Sequence, residues 1–179
     1  MNNTARHDRY STLSITLHWL TLVLMATIYL SIELHESLPR GHALRSPMED
    51  WHIYLGVCLL PIALFRAVTI LRAKIPAIVP QPPTWQMRIT KLMKIYLYVL
   101  MVGAPLIGWI MVNAEGHVVS LWGLALPSLV SESESLAGIA SEAHEVLGIS
   151  GYFFIAIHAF AALYHHYLVK DNTLKRMLP

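Results

Sequence analysis

The sequence predicts an all-α integral membrane protein, a four-helix bundle that forms a single domain over residues 1–179. Of these residues 55% are hydrophobic and only 13% are charged, whereas about a quarter are charged in ordinary soluble domains. Four segments reach the length of about 20 apolar residues that a spanning helix needs. Strict two-residue alternation is absent from these segments, which indicates helices rather than the strands of a membrane barrel.

The four predicted spans differ little in composition, since three of them contain no Asp, Glu, Lys or Arg. The second contains one charged residue, Arg66, and one proline, Pro61. The first is longer than a secretory signal core and no small-x-small cleavage motif follows it, so we expect it to be retained as an anchor. The predicted spans cover residues 13–32, 51–71, 95–112 and 146–169.

The region before the last span contains a predicted helix start and a short apolar stretch. Ser141 is the expected N-cap of the fourth helix, with Glu142 and Glu145 in its first turn. The preceding stretch, residues 121–130, is apolar but too short to cross a bilayer. We therefore expect it to lie at the membrane surface.

The distribution of Lys and Arg predicts that both termini face the cytoplasm. Ten of these residues lie in the two tails and in the loop after span two, whereas the other side has only Arg40 and Arg45 among more numerous acidic residues. In a bacterium this places the chain in the inner (cytoplasmic) membrane, with lipid around it and the acidic loops in the periplasm. The net charge of +2 and the absence of a basic run argue against nucleic acid as a partner.

Two histidines of the fourth span are placed to serve two sites at different depths. His158 follows His144 by 14 positions, which is about 21 Å along a helix at 1.5 Å per residue. Their angular offset is about 40° short of four full turns, so both face nearly the same side. Ionisable residues inside a membrane are costly and indicate function.

Two further histidines fall at the matching depths. The predicted topology puts His52 level with His144, and His18 level with His158. Each pair can provide the two axial ligands of one haem b, so the sequence predicts two bis-histidine haems. Cys58 is the single cysteine and no C-x-x-C-H motif occurs, so any haem is held non-covalently.

Small residues beside the predicted ligands support a flat macrocycle at these positions. Gly56 follows His52 by one helical turn, and Gly148 follows His144 in the same way. Close packing of membrane helices is an equally good explanation for each glycine alone. We nevertheless include both glycines among the predicted cofactor-binding residues.

Two more residues are predicted to act near the haem on the cytoplasmic side. His165 lies seven positions after His158 and so shares its face. Our hypothesis is that His165 lines a quinone pocket and gives or takes a proton there, although an interfacial histidine without a role fits as well. Arg66 is expected either to pair with a haem propionate or to extend toward the cytoplasmic interface.

Several motifs resemble the bacterial cytochrome b561 family over nearly the whole chain. They are Ser-Ile-Thr-Leu-His-Trp at residues 14–19, Trp-His at 51–52, Phe-Arg at 65–66, Pro-Leu-Ile-Gly-Trp at 105–109, and His-Glu at 144–145 followed by the segment 151–174. The resemblance implies a membrane di-haem cytochrome b with axial ligands at His18, His52, His144 and His158. It also implies ubiquinone as a redox partner, and some members resemble superoxide oxidases.

The expected function is therefore single-electron transfer between a donor on the periplasmic side and the quinone pool, with superoxide as one candidate donor. Only Arg40 and Arg45 could attract anionic superoxide to that side. Two alternatives stay open on the residues alone. One is a haem b anchor subunit for a separate dehydrogenase or hydrogenase, and the other is a histidine-based metal transporter.

Overall fold

A computed structural model describes residues 9–179, so Arg6 of the predicted basic tail lies outside the described residues. These residues form four long helices, joined so that each runs antiparallel to the one before it. All four predicted spans fall within these helices, the last ending in a π-helical turn at His165–Val169. The helices are α1 Thr12–Ser37, α2 Arg45–Arg72, α3 Thr84–Ala114 and α4 Glu134–Tyr164.

The helices are long and apolar enough to cross a membrane. The shortest, α1, has 26 residues and extends about 39 Å at 1.5 Å per residue, which exceeds the roughly 30 Å of the hydrocarbon core. Large apolar side chains cover the outside of the bundle, including Val23, Leu71 and Phe160 at 60%, 84% and 69% exposure. Such a surface suits lipid and not water, and the chain is a multi-pass membrane protein.

The fourth helix begins earlier than the sequence indicated, and the predicted cap at Ser141 is wrong. Its N-cap is Ser133, whose hydroxyl accepts a hydrogen bond from the backbone N–H of Leu136. Ser133 satisfies one of the N–H groups that every helix start leaves unpaired. Glu142 and Glu145 therefore lie inside the helix, and Glu134 is the acidic residue of its first turn.

The apolar stretch before α4 contains the short strands of the described chain. Strands β1 Ser120–Leu121 and β2 Leu124–Ala125 pair antiparallel. The turn between them holds Trp122, which has a positive φ of 47° and a 70% exposed side chain.

The C-terminal tail folds back over one end of the bundle. We call this end, where α1 begins and α4 finishes, the terminal end, and the opposite one the distal end. The indole N–H of Trp19 donates to the carbonyl of Met177 at 2.8 Å. Asn172 bonds the α2–α3 connector at Ala77 and at Val79. The tail is thus part of the folded structure.

Packing is closest within the pairs α1–α2 and α3–α4, and a smaller contact joins α2 to α3. The main cluster of buried apolar side chains comes from the first three helices: Ile28, Leu59, Ala63 and Met101. Among the described residues, α4 adds none to it. Helix α4 meets α1 and α2 through ring contacts between Tyr29 and Tyr152 and between the predicted histidines.

Candidate functional site

The first histidine pair lies toward the terminal end of the bundle. His18 of α1 and His158 of α4 face each other with ring centroids 6.3 Å apart and ring planes at 71°. The two residues are 140 positions apart in the sequence, and the antiparallel arrangement of the helices brings them to one depth. The structure thus brings together the pair that spacing and topology predicted.

The second pair lies toward the distal end. His52 of α2 and His144 of α4 have ring centroids 6.0 Å apart and planes at 84°. Each ring is fixed by a hydrogen bond from Nδ1 to a backbone carbonyl, at 3.1 Å to Ile28 for His52 and at 2.9 Å to Ala104 for His144. These bonds leave Nε2 of both rings available as a ligand.

The ring separations fit a metal held between two imidazoles. An imidazole nitrogen binds a first-row metal at about 2.0–2.1 Å, and the ring centroid lies roughly another 1.1 Å away. Two imidazoles on opposite sides of one ion thus have centroids about 6 Å apart. Carbonyl partners on Nδ1 are the usual outer-shell arrangement for such ligands. The ring separations of both pairs therefore suit ligation of a haem iron, and at the His52–His144 pair the carbonyl partners also fit.

The glycines singled out beside the ligands leave open space. A Cβ built at Gly56 or at Gly148 would meet no heavy atom within 4 Å outside its own helix backbone. Close helix packing, the alternative explanation for these glycines, would leave neighbouring atoms within that distance. The open space is where a flat macrocycle could approach α2 and α4.

A transporter-like metal site requires a different set of ligands. Across residues 9–179, no group of three or more His, Cys, Asp or Glu side chains is arranged to hold a metal ion. The histidines meet in twos, which leaves four equatorial positions of an ion without protein ligands. A porphyrin provides those four positions, so the donor set fits haem better than a bare metal.

Sequence reasoning missed the residue that packs against the second pair. A Cβ at Gly108 of α3 would lie 3.0 Å from Cε1 and 3.1 Å from Nδ1 of His144. The third helix, which contains no histidine, thus provides both the surface and the carbonyl of Ala104 that orient this ring. The glycine in the Pro105–Trp109 motif was the available signal.

Arg66 does not extend to the membrane interface, one of the two orientations expected for it. Its side chain turns into the bundle, where Nη1 donates to Thr21 Oγ1 at 2.8 Å and Nη2 lies 2.8 Å from His18 Nδ1. The guanidinium also lies over the ring of Tyr98, 5.7 Å from its centroid. The arginine is therefore part of the surroundings of the first histidine pair.

His165 lies in the π-helical turn that follows α4, with both ring nitrogens engaged. Nδ1 is 2.5 Å from Asp171 Oδ2 and Nε2 is 2.7 Å from the side-chain nitrogen of Gln86. Burial raises the pKa of the Asp171 carboxyl, but hydrogen bonds from His165 and Thr173 outweigh burial and hold that pKa below its usual value. Neither Asp171 nor Gln86 was identified from the sequence.

At the distal end, the Arg45 side chain caps the C-terminus of α1. Its guanidinium donates to the carbonyls of His35 and Leu38 at 2.6 and 2.7 Å, where α1 ends. Cations at a helix C-terminus satisfy otherwise unpaired carbonyls. The His35 side chain at this end of α1 is only 12% exposed. Arg40, by contrast, is exposed in the α1–α2 connector.

Four apolar helices in the described part of the chain, with two half-buried histidine pairs between them, are typical of a membrane protein of the haem-binding, electron-transferring class. Comparison with known proteins agrees, because the model of the prokaryotic cytochrome b561 family matches residues 9–179. The chain belongs to the prokaryotic cytochrome b561 family. It is accordingly a multi-pass membrane protein that binds b-type haem and takes part in electron transfer.

Three relatives illustrate the similarity. Cytochrome b561 homolog 1 of Escherichia coli K12 is 37% identical over 172 residues, which is 96% of this chain and 98% of that protein. The probable superoxide oxidase CybB of Yersinia pestis is 35% identical over 173 residues, 97% of each. Cytochrome b561 homolog 2 of E. coli K12 is 24% identical over 179 residues, 99% of this chain and 95% of that protein.

Proposed function

We propose that this chain holds two b haems and transfers single electrons between a donor on the periplasmic side and the quinone pool. His18 and His158 are the ligands of one haem, and His52 and His144 are those of the other. The observation that carries the proposal is the pair of ring separations, 6.3 and 6.0 Å, at two levels of one helix. The excess of Lys and Arg at the terminal end supports an inner-membrane protein with cytoplasmic termini.

The proposed chemistry is outer-sphere electron transfer. Bound haem b supplies a reversible one-electron iron couple, tuned by its axial ligands and its surroundings. With two histidines holding each haem, the chemistry supplied would be electron transfer without binding of oxygen. The protein orients His52 and His144 through hydrogen bonds to the carbonyls of Ile28 and Ala104, and it keeps both sites among apolar helices.

Superoxide is the donor that we propose for the periplasmic side, because a relative of equal length is described as a probable superoxide oxidase. Two superoxide anions would each lose one electron to give two molecules of dioxygen. One ubiquinone would take up both electrons and two protons to give ubiquinol. Since Arg45 bonds helix carbonyls, Arg40 is the free cation among those two residues for attracting the anion.

His165 is the residue that we propose for the quinone side. It lies at the terminal end with its Nε2 toward Gln86 and its Nδ1 toward a buried carboxylate. A ring held in this way can pass a proton between a ligand at Nε2 and Asp171, provided that the quinone oxygen replaces Gln86. His165→Ala should then lower quinone turnover without loss of haem. His42→Ala, a change in an exposed loop, should leave both quinone turnover and haem content unchanged.

The deciding experiment is a haem assay per chain with a reduced-minus-oxidised spectrum, followed by stopped-flow mixing of the purified protein with superoxide and a soluble ubiquinone. We expect two haems per chain, fast reduction by superoxide and two superoxides consumed per quinol formed. Fewer than two haems would refute the cofactor assignment. Two haems that superoxide does not reduce would refute the donor, and co-purification with a stoichiometric dehydrogenase would favour the anchor alternative.

A further inference from the structure

Arg66 is a half-buried charge that turns into the bundle and has no charged partner among residues 9–179. Its guanidinium lies between α1 and α3, and within the described chain no carboxylate oxygen comes within 4.0 Å of it. Its contacts are the hydroxyl of Thr21, the sulfur of Met101 and the face of Tyr98. Its Nε is buried and has no partner. An arginine in such a place is costly and indicates a function.

The charge is specific to one of the two histidine pairs. At the terminal-end pair, the guanidinium nitrogen is 2.8 Å from Nδ1 of His18. At the distal-end pair, the corresponding nitrogens of His52 and His144 face carbonyl oxygens. One site therefore has a full positive charge beside its ligand, and the other has two partial negative charges.

The surroundings of the two sites have opposite effects on the reduction potential of a bound haem iron. Carbonyl acceptors on Nδ1 raise the basicity of the ligand and stabilise the ferric state. A cation in a medium of low dielectric constant disfavours the extra positive charge of the ferric state. We propose that Arg66 raises the reduction potential of the haem held by His18 and His158 above that of the haem held by His52 and His144. This inference rests on the proposed function.

The raised reduction potential depends on the positive charge of Arg66 and not on a hydrogen bond between Arg66 and His18. An imidazole that binds iron through Nε2 carries its proton on Nδ1, so it has no lone pair there for the guanidinium. Thr21, Met101 and the ring of Tyr98 still hold the arginine in this region. Arginine stays protonated in proteins, so the difference between the two sites is permanent. Electrons would favour the terminal-end haem, on the side where quinone is proposed to bind.

The test is a potentiometric titration of the full-length, haem-loaded protein in nanodiscs, resolved into its two optical components. The component missing from His18→Ala is assigned to the terminal-end site. In Arg66→Gln we expect the ferrous-to-ferric ratio of this component to fall at least tenfold at a given potential, equal to about 59 mV for one electron. The other component should shift much less. Arg66→Lys should retain most of the wild-type potential.

Arg72→Gln is the matched control, because it removes an exposed cation from the end of the same helix. Equal shifts of both components, no shift in Arg66→Gln, or a wild-type order with the distal-end haem higher would overturn the inference. If Arg66→Gln fails to load haem, two measurements still test the inference. They are the order of the two reduction potentials in the wild type and the titration of Arg66→Lys. Two haems with the predicted ligands but no selective shift would refute this inference alone, whereas fewer haems would refute the proposed function.

Discussion

His144 of α4 rests against Gly108 of α3 so closely that a Cβ at that glycine would lie 3.0 Å from the imidazole. The preceding turn of α3 offers the carbonyl of Ala104, 2.9 Å from His144 Nδ1. One side of the ring is thus packed against backbone while its Nδ1 is hydrogen-bonded. The direction in which Nε2 points is consequently set by a helix that itself contributes no histidine.

Gly108→Val should weaken haem retention at the distal-end site. Overpacking a tight contact costs about 1–3 kcal/mol, and every 1.4 kcal/mol is about tenfold in affinity, so loss during purification should be evident from the haem content. Gly138→Val is the control, because a Cβ at Gly138 in α4 meets nothing within 4 Å. Equal haem content in both variants would contradict the proposed role of Gly108.

Alanine substitutions at the four histidines should act in pairs. His52→Ala and His144→Ala should remove the same optical component, because their rings face each other at 6.0 Å. His18→Ala and His158→Ala should remove the other one, in line with their separation of 6.3 Å. Reduced-minus-oxidised spectra of the four variants provide the measurement. A variant that removed the component assigned to the opposite pair would show that the pairing is wrong.

A bulky side chain at Gly148 should compete with the haem for space. Gly148→Leu places its side chain in a region that is open in the protein alone, so we expect a loss of the distal-end haem with little effect on helix formation. The measurement is haem per chain, with helix content from circular dichroism as a check on folding. Gly138→Leu, elsewhere on α4, should keep both haems, and full haem in Gly148→Leu would mean that the open space is not the macrocycle site.

The C-terminal tail should depend on the ionised form of Asp171. This side chain is 2% exposed, and its lowered pKa means that the folded state favours the carboxylate. Its contribution is complete above the ordinary pKa of about 3.9 and disappears as the pH falls through the lower folded value. Asp171→Asn should therefore lower the melting temperature at pH 7, with a loss of about 1–3 kcal/mol.

Thermal unfolding in detergent at pH 7 and at pH 3 measures this effect. The difference between wild type and Asp171→Asn should shrink at the lower pH, because pH 3 lies below the ordinary pKa of the carboxyl and unfolding of the wild type then takes up a proton. Asp50→Asn, a change at an exposed side chain, should have no comparable effect at either pH. A constant difference between wild type and Asp171→Asn across this range would show that ionisation is not the cause.

The amino-acid sequence by itself determined the four spans and the depth of each histidine. Both follow from local quantities: hydropathy over about 20 residues and the rise of 1.5 Å per residue, which together placed His144 and His158 at two levels of one helix. The pairing of His18 with His158 also followed from the sequence. Antiparallel helices of similar length fix the depth of each histidine in the membrane, and these two lie at the same depth. The start of α4 was missed because Ser133 and Ser141 are both plausible caps.

Tertiary structure decided the contacts that tune these sites. The sequence contains Gly108 and Arg66, but it does not indicate that one packs on His144 or that the other turns toward His18. Such contacts join positions tens of residues apart and depend on how each helix is rotated about its axis. Rotation is set by the packing of all four helices together, which no local pattern contains. For the same reason, only the tertiary structure brings Asp171 of the tail and Gln86 of α3 to His165.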